Sequence, residues 1–106
     1  MNSDVPTISA ETLKEWLVNH LQEITLIDVR ESGEHHNYNI GGLLIPLPEI
    51  IARANEIPTN GKVVIYCKKG IRSAIAIQRL QQKKRYTHLY NLTGGIEKWQ
   101  ETFKNT

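Results

Sequence analysis

The chain's single cysteine, Cys67, stands directly behind the run Lys62-Val63-Val64-Ile65-Tyr66 and opens the segment Cys67-Lys68-Lys69-Gly70-Ile71-Arg72-Ser73. A thiol acts as a nucleophile only as its thiolate, so the groups around it decide what it can do. The β-branched and aromatic run reads as a short buried strand that delivers Cys67 at its carboxyl end. Ile71 to Gln82 contains no glycine or proline and reads as a helix. Gly70 supplies the tight turn between them. In that geometry backbone N–H groups around Lys68 to Ser73 point inward, and the helix amino terminus adds partial positive charge. Lys68, Lys69 and Arg72 add full charges. The expectation is a thiolate nucleophile in an anion cradle; the plainer reading is a small apolar residue packed at a strand end. The convergence of strand, cysteine, glycine, arginine, serine and helix favours the first.

Helical and strand patterns alternate along the rest of the chain, which argues for an α/β fold with a largely parallel sheet. Ser9 can cap a first helix with Ala10, Leu13, Trp16, Leu17 and Leu21 on its apolar face. A strand follows over Ile24 to Val29, then a polar, short helical segment from Glu31 to Asn37. Ile40-Gly41-Gly42 turns the chain into a short strand, Leu43-Leu44-Ile45. Pro48 suits the first turn of a helix whose Leu47, Ile50, Ile51 and Ala54 share a face and which ends before Pro58. Asn60-Gly61 turns into the Cys67 strand, and His88 to Leu92 reads as the last strand. Gly94-Gly95 introduces a final helix carrying Ile96, Trp99 and Phe103. Ligands in open parallel sheets bind at carboxyl ends of strands, where Cys67 and Asp28 both fall.

A length of 106 residues suits one domain, 1–106. The 40% hydrophobic and 23% charged residues and the net charge of +2 exclude a disordered tail and give no strong case for nucleic-acid binding. One cysteine allows neither an internal disulfide nor a multi-thiolate zinc site. A reduced, cytoplasmic setting fits best. The start Met1 to Pro6 lacks a signal-peptide pattern, and no apolar run reaches membrane-spanning length, so no membrane association is expected.

Four separated pieces, in order, resemble the rhodanese family of sulfurtransferases, specifically its single-domain members. They are Leu26-Ile27-Asp28-Val29-Arg30 with Glu34, Ile40-Gly41-Gly42 with Ile45-Pro46-Leu47, the Cys67 to Ser73 loop continuing to Ala74, Ala76 and Leu80, and Leu92-Thr93-Gly94-Gly95 with Trp99. The resemblance implies a three-layer α/β fold with a mostly parallel five-stranded sheet flanked by helices. It implies that Cys67 takes a sulfane sulfur from a donor such as thiosulfate and passes it, as a persulfide, to cyanide or a thiol. Lys68, Lys69, Gly70, Ile71, Arg72 and Ser73 would form the donor-binding loop. No metal or organic cofactor would be required. Related dual-specificity phosphatases have a loop one residue longer, which a tetrahedral phosphate needs; here four residues separate Cys67 from Arg72, which suits a single sulfur atom. The rival function is a non-catalytic docking or sulfur-relay module, although inactive relatives usually lose the cysteine.

This chain also departs from the family pattern. Asn39 replaces a common histidine, and the segment around Gly42 to Leu47 resembles rhodanese domains fused to sulfur-carrier-activating enzymes. Arg85 replaces a glycine, so the Ile71 helix is expected to end without a left-handed cap. The resemblance makes Asp28, Arg30 and Glu34 structural near the site, with Arg30 paired to Glu34 and Asp28 organising the strand end. Ser73 can hydrogen-bond the thiolate, cap the helix, or both. Adjacent His35 and His36 cannot both face one ion from a helix and read as a solvated pair. Lys83-Lys84-Arg85 reads as a solvated helix end.

Overall fold

The computed structural model describes residues 5–19 and 23–104. In chain order the elements are β1 (Thr7–Ile8), α1 (Ala10–Asn19), β2 (Ile24–Asp28), α2 (Ser32–Asn37), β3 (Leu43–Leu44), β4 (Lys62–Tyr66), α3 (Ile71–Lys83), β5 (Leu89–Leu92) and α4 (Gly95–Phe103). Among the described residues the sheet has five strands in the order β1-β5-β4-β2-β3, with every pairing parallel. Parallel neighbours need crossover connections, which the helices supply.

Alternation along the strands decides which residues meet which helices. Ile27, Val63, Ile65, Cys67 and Leu89 pack with Ala76, Ile77 and Leu80 of α3. Leu26, Val64, Tyr66 and Leu92 pack with Leu13 of α1 and with Ile96 and Trp99 of α4. The result is three layers, with the sheet in the middle. Leu80 has no exposed surface, so truncating it to alanine is expected to cost about 2–5 kcal/mol through lost burial and the cavity left behind.

Local signals explain most boundaries. Ser9 Oγ accepts from Thr12 N at 3.1 Å and so caps α1. Leu21, expected on the same apolar face, lies outside the described residues, as do 1–4. The helix α3 runs to Lys83, and the residue after it, Lys84, is extended at φ −162°. As expected, no left-handed glycine closes it.

One element differs from expectation. The segment beginning at Pro48 does not form an α-helix but two 3₁₀ turns, Leu47–Glu49 and Ala54–Glu56. Ile50 N donates to Leu47 O and Ile57 N to Ala54 O, the shorter-range bonds of that geometry. Pro46 and Pro48 lack donors at its start. The apolar spacing is still used, because Ile50 is buried in the core against α3.

Candidate active site

Cys67 leaves the end of β4 with its side chain on the α3 face of the sheet, 1% exposed. Its Sγ accepts from Gly70 N at 3.1 Å and from Ser73 N at 3.3 Å. Two backbone donors, one at the loop apex and one in the first turn of α3, therefore converge on the sulfur. Gly70 makes this possible by adopting φ +95°, a left-handed conformation that residues with a Cβ avoid. The loop surrounds a cavity of about 250 Å³ lined by Cys67, Lys68, Lys69, Ile71 and Arg72. Ile71, 66% exposed, forms an apolar edge beside the cations.

The loop's carbonyl groups face away from the sulfur, because α4 receives them. Ile96 N donates to Cys67 O at 2.9 Å and Glu97 N to Lys68 O at 3.0 Å. These amide groups would otherwise be unpaired donors at a helix amino terminus. The close approach explains the Gly94-Gly95 pair: a Cβ on Gly95 would lie 2.4 Å from Cys67 O. The Lys68 ammonium stands 4.0 Å from Glu97 across the same junction.

Arg72 leans away from the sulfur toward α2. Its Nη1 and Nη2 donate to Glu34 Oε1 and Oε2 at 2.8 and 3.0 Å, a bidentate pair that joins α2 to the loop. The Arg72 guanidinium holds the Glu34 carboxyl down at about 2. In turn the hydrogen bonds to Glu34 raise Arg72 above the usual arginine value.

The expected pairing of Arg30 with Glu34 is corrected by this arrangement. Arg30 instead folds back on Asp28, two residues earlier, with Nε and Nη2 2.9 and 2.8 Å from its oxygens, and Nη2 also donates to Tyr38 O. Both partners are buried, at 0% for Asp28 and 4% for Arg30. Burial pushes the Asp28 carboxyl up, but hydrogen bonds from Arg30 and His35 outweigh it and hold the group below its ordinary 3.8. An ionised carboxylate only accepts, so the His35 Nδ1 lying 2.8 Å from Asp28 carries the proton of that bond. His35 is thus tied to the strand end and is not half of a solvated pair; His36 is exposed.

A family comparison decides the classification: the rhodanese-like domain model matches residues 9–102. The chain belongs to the rhodanese-like domain family. This rhodanese-like domain is 36% identical over 96 residues to a sulfurtransferase of Allochromatium vinosum, covering 90% of this chain and 88% of that protein. It is 35% identical over 98 residues to the putative sulfur carrier protein YrkF of Bacillus subtilis, covering 92% of this chain and 52% of that one. The chain spans little more than half the length of the first two curated relatives it matches, 59% and 52%. Among solved structures, the rhodanese-related protein of Thermoplasma volcanium superposes with a TM-score of 0.79 at 27% identity, over 92% of this chain and 93% of that one. The expected rhodanese-like fold is the one observed.

Three further residues support the site of this rhodanese-like domain without having been singled out for it. Asn91 of β5 and Tyr66 of β4 read simply as strand residues in the sequence. Tyr66 Oη donates to Gly41 O at 2.9 Å and accepts from Ile40 N, which fixes the turn before β3. Burial pushes its phenol up to about 12. Asn39 donates to His35 O and accepts from Gly41 N, so it closes α2 onto that turn. Asn91 touches the cradle itself. A polar residue on the core-facing side of a strand, between buried Leu89 and Leu92, was the available signal. Among the described residues, no helix is long and apolar enough to cross a membrane.

Proposed function

We propose that this domain is a thiosulfate sulfurtransferase or persulfide carrier in which Cys67 is the nucleophile. The observation that supports this most directly is the convergence of Gly70 N–H and Ser73 N–H on Sγ. These donors stabilise negative charge on sulfur without solvent reorganisation. In the first half-reaction the Cys67 thiolate attacks the outer sulfur of thiosulfate. A new S–S bond forms as the old one breaks, its electron pair leaves with sulfite, and Cys67 becomes a persulfide anion. In the second, cyanide attacks the terminal sulfur and leaves as thiocyanate, restoring the thiolate. A thiol acceptor, small or on a protein, would leave as its own persulfide. No cofactor enters either step.

Lys68 and Lys69 supply the cations beside the cavity that meet an anionic donor, Ile71 lines its wall, and Gly70 and Ser73 present their N–H groups to Sγ. Arg72 contributes charge, while its terminal nitrogens serve Glu34. Asp28, Arg30 and Glu34 act structurally behind the loop. The reading includes one domain over 1–106 and a reducing, cytoplasmic setting, because a lone reactive thiol must stay reduced to work.

The test is to incubate the protein with thiosulfate, remove the excess and measure intact mass for wild type beside Cys67→Ser. The expected result is the gain of one sulfur atom on wild type alone, lost on adding cyanide. No gain on a protein whose Cys67 is reduced and alkylates readily would exclude thiosulfate as the donor.

A further inference from the structure

Asn91 lies on the α3-facing side of β5, opposite Ile65 of β4 and Thr7 of β1, and is 7% exposed. Its backbone N–H is taken by Pro6 O, so its side chain is free to serve the loop. Nδ2 donates to Gly70 O at 3.0 Å, and Oδ1 accepts from Ser73 Oγ at 2.5 Å. The first bond sets the orientation of the second. Because Nδ2 must face a carbonyl, Oδ1 must face Ser73. The Ser73 hydroxyl proton then points at Asn91, and its oxygen sits 3.3 Å from Cys67 Sγ.

One planar amide thereby grips both residues whose N–H groups reach the sulfur. Gly70 is gripped by its carbonyl and Ser73 by its hydroxyl. Asn91 is held in the sheet between Thr7 of β1 and Ile65 of β4, whereas the loop apex depends on a single glycine in the left-handed region. Without this bridge the peptide at Gly70 could rotate, and the half-buried Gly70 O and the buried Ser73 Oγ would each have one partner fewer.

We propose that Asn91 is a positioning residue for sulfur transfer: it locks the Gly70 and Ser73 amides onto Cys67 from the sheet. The inference rests on the sulfurtransferase reading for its chemistry but not for its geometry. It distinguishes the two ends of the amide. Leucine removes both contacts. Aspartate keeps an acceptor for Ser73 and loses the donor to Gly70 O, until protonation of its carboxyl restores that donor.

The experiment measures the initial rate of sulfur loading from thiosulfate, by intact mass, for wild type, Asn91→Leu and Asn91→Asp, each first shown folded by circular dichroism. Loading by Asn91→Leu is expected to fall about tenfold, the scale of losing a well-placed hydrogen bond. The ratio of the Asn91→Asp rate to the wild-type rate is expected to rise as pH falls. Other charges near the bridge are Cys67, the Arg72–Glu34 pair reaching across from α2, and Asp28 with Arg30 and His35 at β2; dividing by wild type at each pH removes what they contribute to both proteins. In a Ser73→Ala background the leucine substitution should cost less, because one of its two contacts is already gone. A purely structural role would lower the melting temperature without a pH-dependent ratio. Unchanged loading by folded Asn91→Leu, a flat Asn91→Asp ratio, or full additivity with Ser73→Ala would each overturn the proposal. Iodoacetamide alkylation of Cys67, run on the same proteins, needs no sulfur donor. If wild type takes up no sulfur, slower alkylation of Asn91→Leu than of wild type supports the positioning role alone, and an equal or faster rate rejects it.

Discussion

Two adjacent strands, β2 and β4, end side by side at the same edge of the sheet, each with an ionisable residue, yet the two ends are built to opposite purposes. At β2, the Asp28 carboxylate is buried and met by a guanidinium and an imidazole, so its charge is matched and its acceptors are occupied. At β4, Cys67 is buried too, but it is met by neutral N–H groups and opens onto a cavity edged by cations. A saturated charge holds structure, and a thiol met only by oriented dipoles is left able to react. Glu34 and Arg72 link the two ends, so the Cys67 end is braced by the Asp28 end.

The largest difference between the ends is expected when each loses its central residue. Cys67→Ser should abolish sulfur loading while its urea denaturation midpoint stays near wild type; substantial loading by this variant would reject the comparison. Asp28→Ala should do the reverse to stability, costing about 3–5 kcal/mol because Arg30 is left charged and buried without its partner. Equilibrium urea denaturation measures this, and a loss below about 1 kcal/mol would show that the β2 end is not the brace.

A smaller effect is expected from Gly95→Ala. The backbone at φ +59° costs about 1–2 kcal/mol for a residue with a Cβ, and the new methyl would strike Cys67 O. Loading measured on the folded protein should fall more steeply than stability, since the displaced carbonyl belongs to the loop. Equal loading rates would mean that α4 supports the fold but not the cradle.

The smallest effect separates the two ends by pH. Glu34 is pulled down to about 2 from its ordinary 4.5, so its pairing with Arg72 stabilises the folded protein fully above that ordinary value. The stabilisation is lost as pH falls from 4.5 toward 2. Asp28, also lowered in the folded state, works in the same direction below 3.8. The urea midpoint should therefore drop between pH 5 and pH 2, and Glu34→Gln should make that drop shallower. Because the Glu34–Arg72 pair is about one third exposed, its own share should be only about 0.5 kcal/mol. Sulfur loading by Arg72→Ala at neutral pH should weaken without being abolished.

Much of this was legible in the chain because local patterns carried it. The apolar run ahead of Cys67, the glycine at the turn and the glycine-free helix after it are short-range signals, and they placed the strand, loop and α3 to within a residue or two. The fifth strand, Thr7–Ile8, is too short to show alternation; the family resemblance implied a five-stranded sheet without placing it. The Leu47 to Glu56 segment had helical spacing, but the apolar pattern does not report hydrogen-bond length, and prolines at its entry favoured tighter turns. The Arg30 pairing, implied by the resemblance, was misplaced because Asp28 and Glu34 are both near enough in sequence to serve as its partner. Only the fold shows that Glu34 faces α3 and Arg72. Asn91 follows Ser73 by 18 residues, and no short-range pattern connects them.

The amide groups that turn the loop's carbonyls outward belong to Ile96 and Glu97, which follow Cys67 by 29 and 30 residues. During synthesis the cysteine leaves the ribosome well before the helix that shapes its surroundings. Until α4 is made and docks, the Cys67 and Lys68 carbonyl groups lack these partners, so the surroundings of the thiol are finished by a helix that folds after the loop itself has been synthesised.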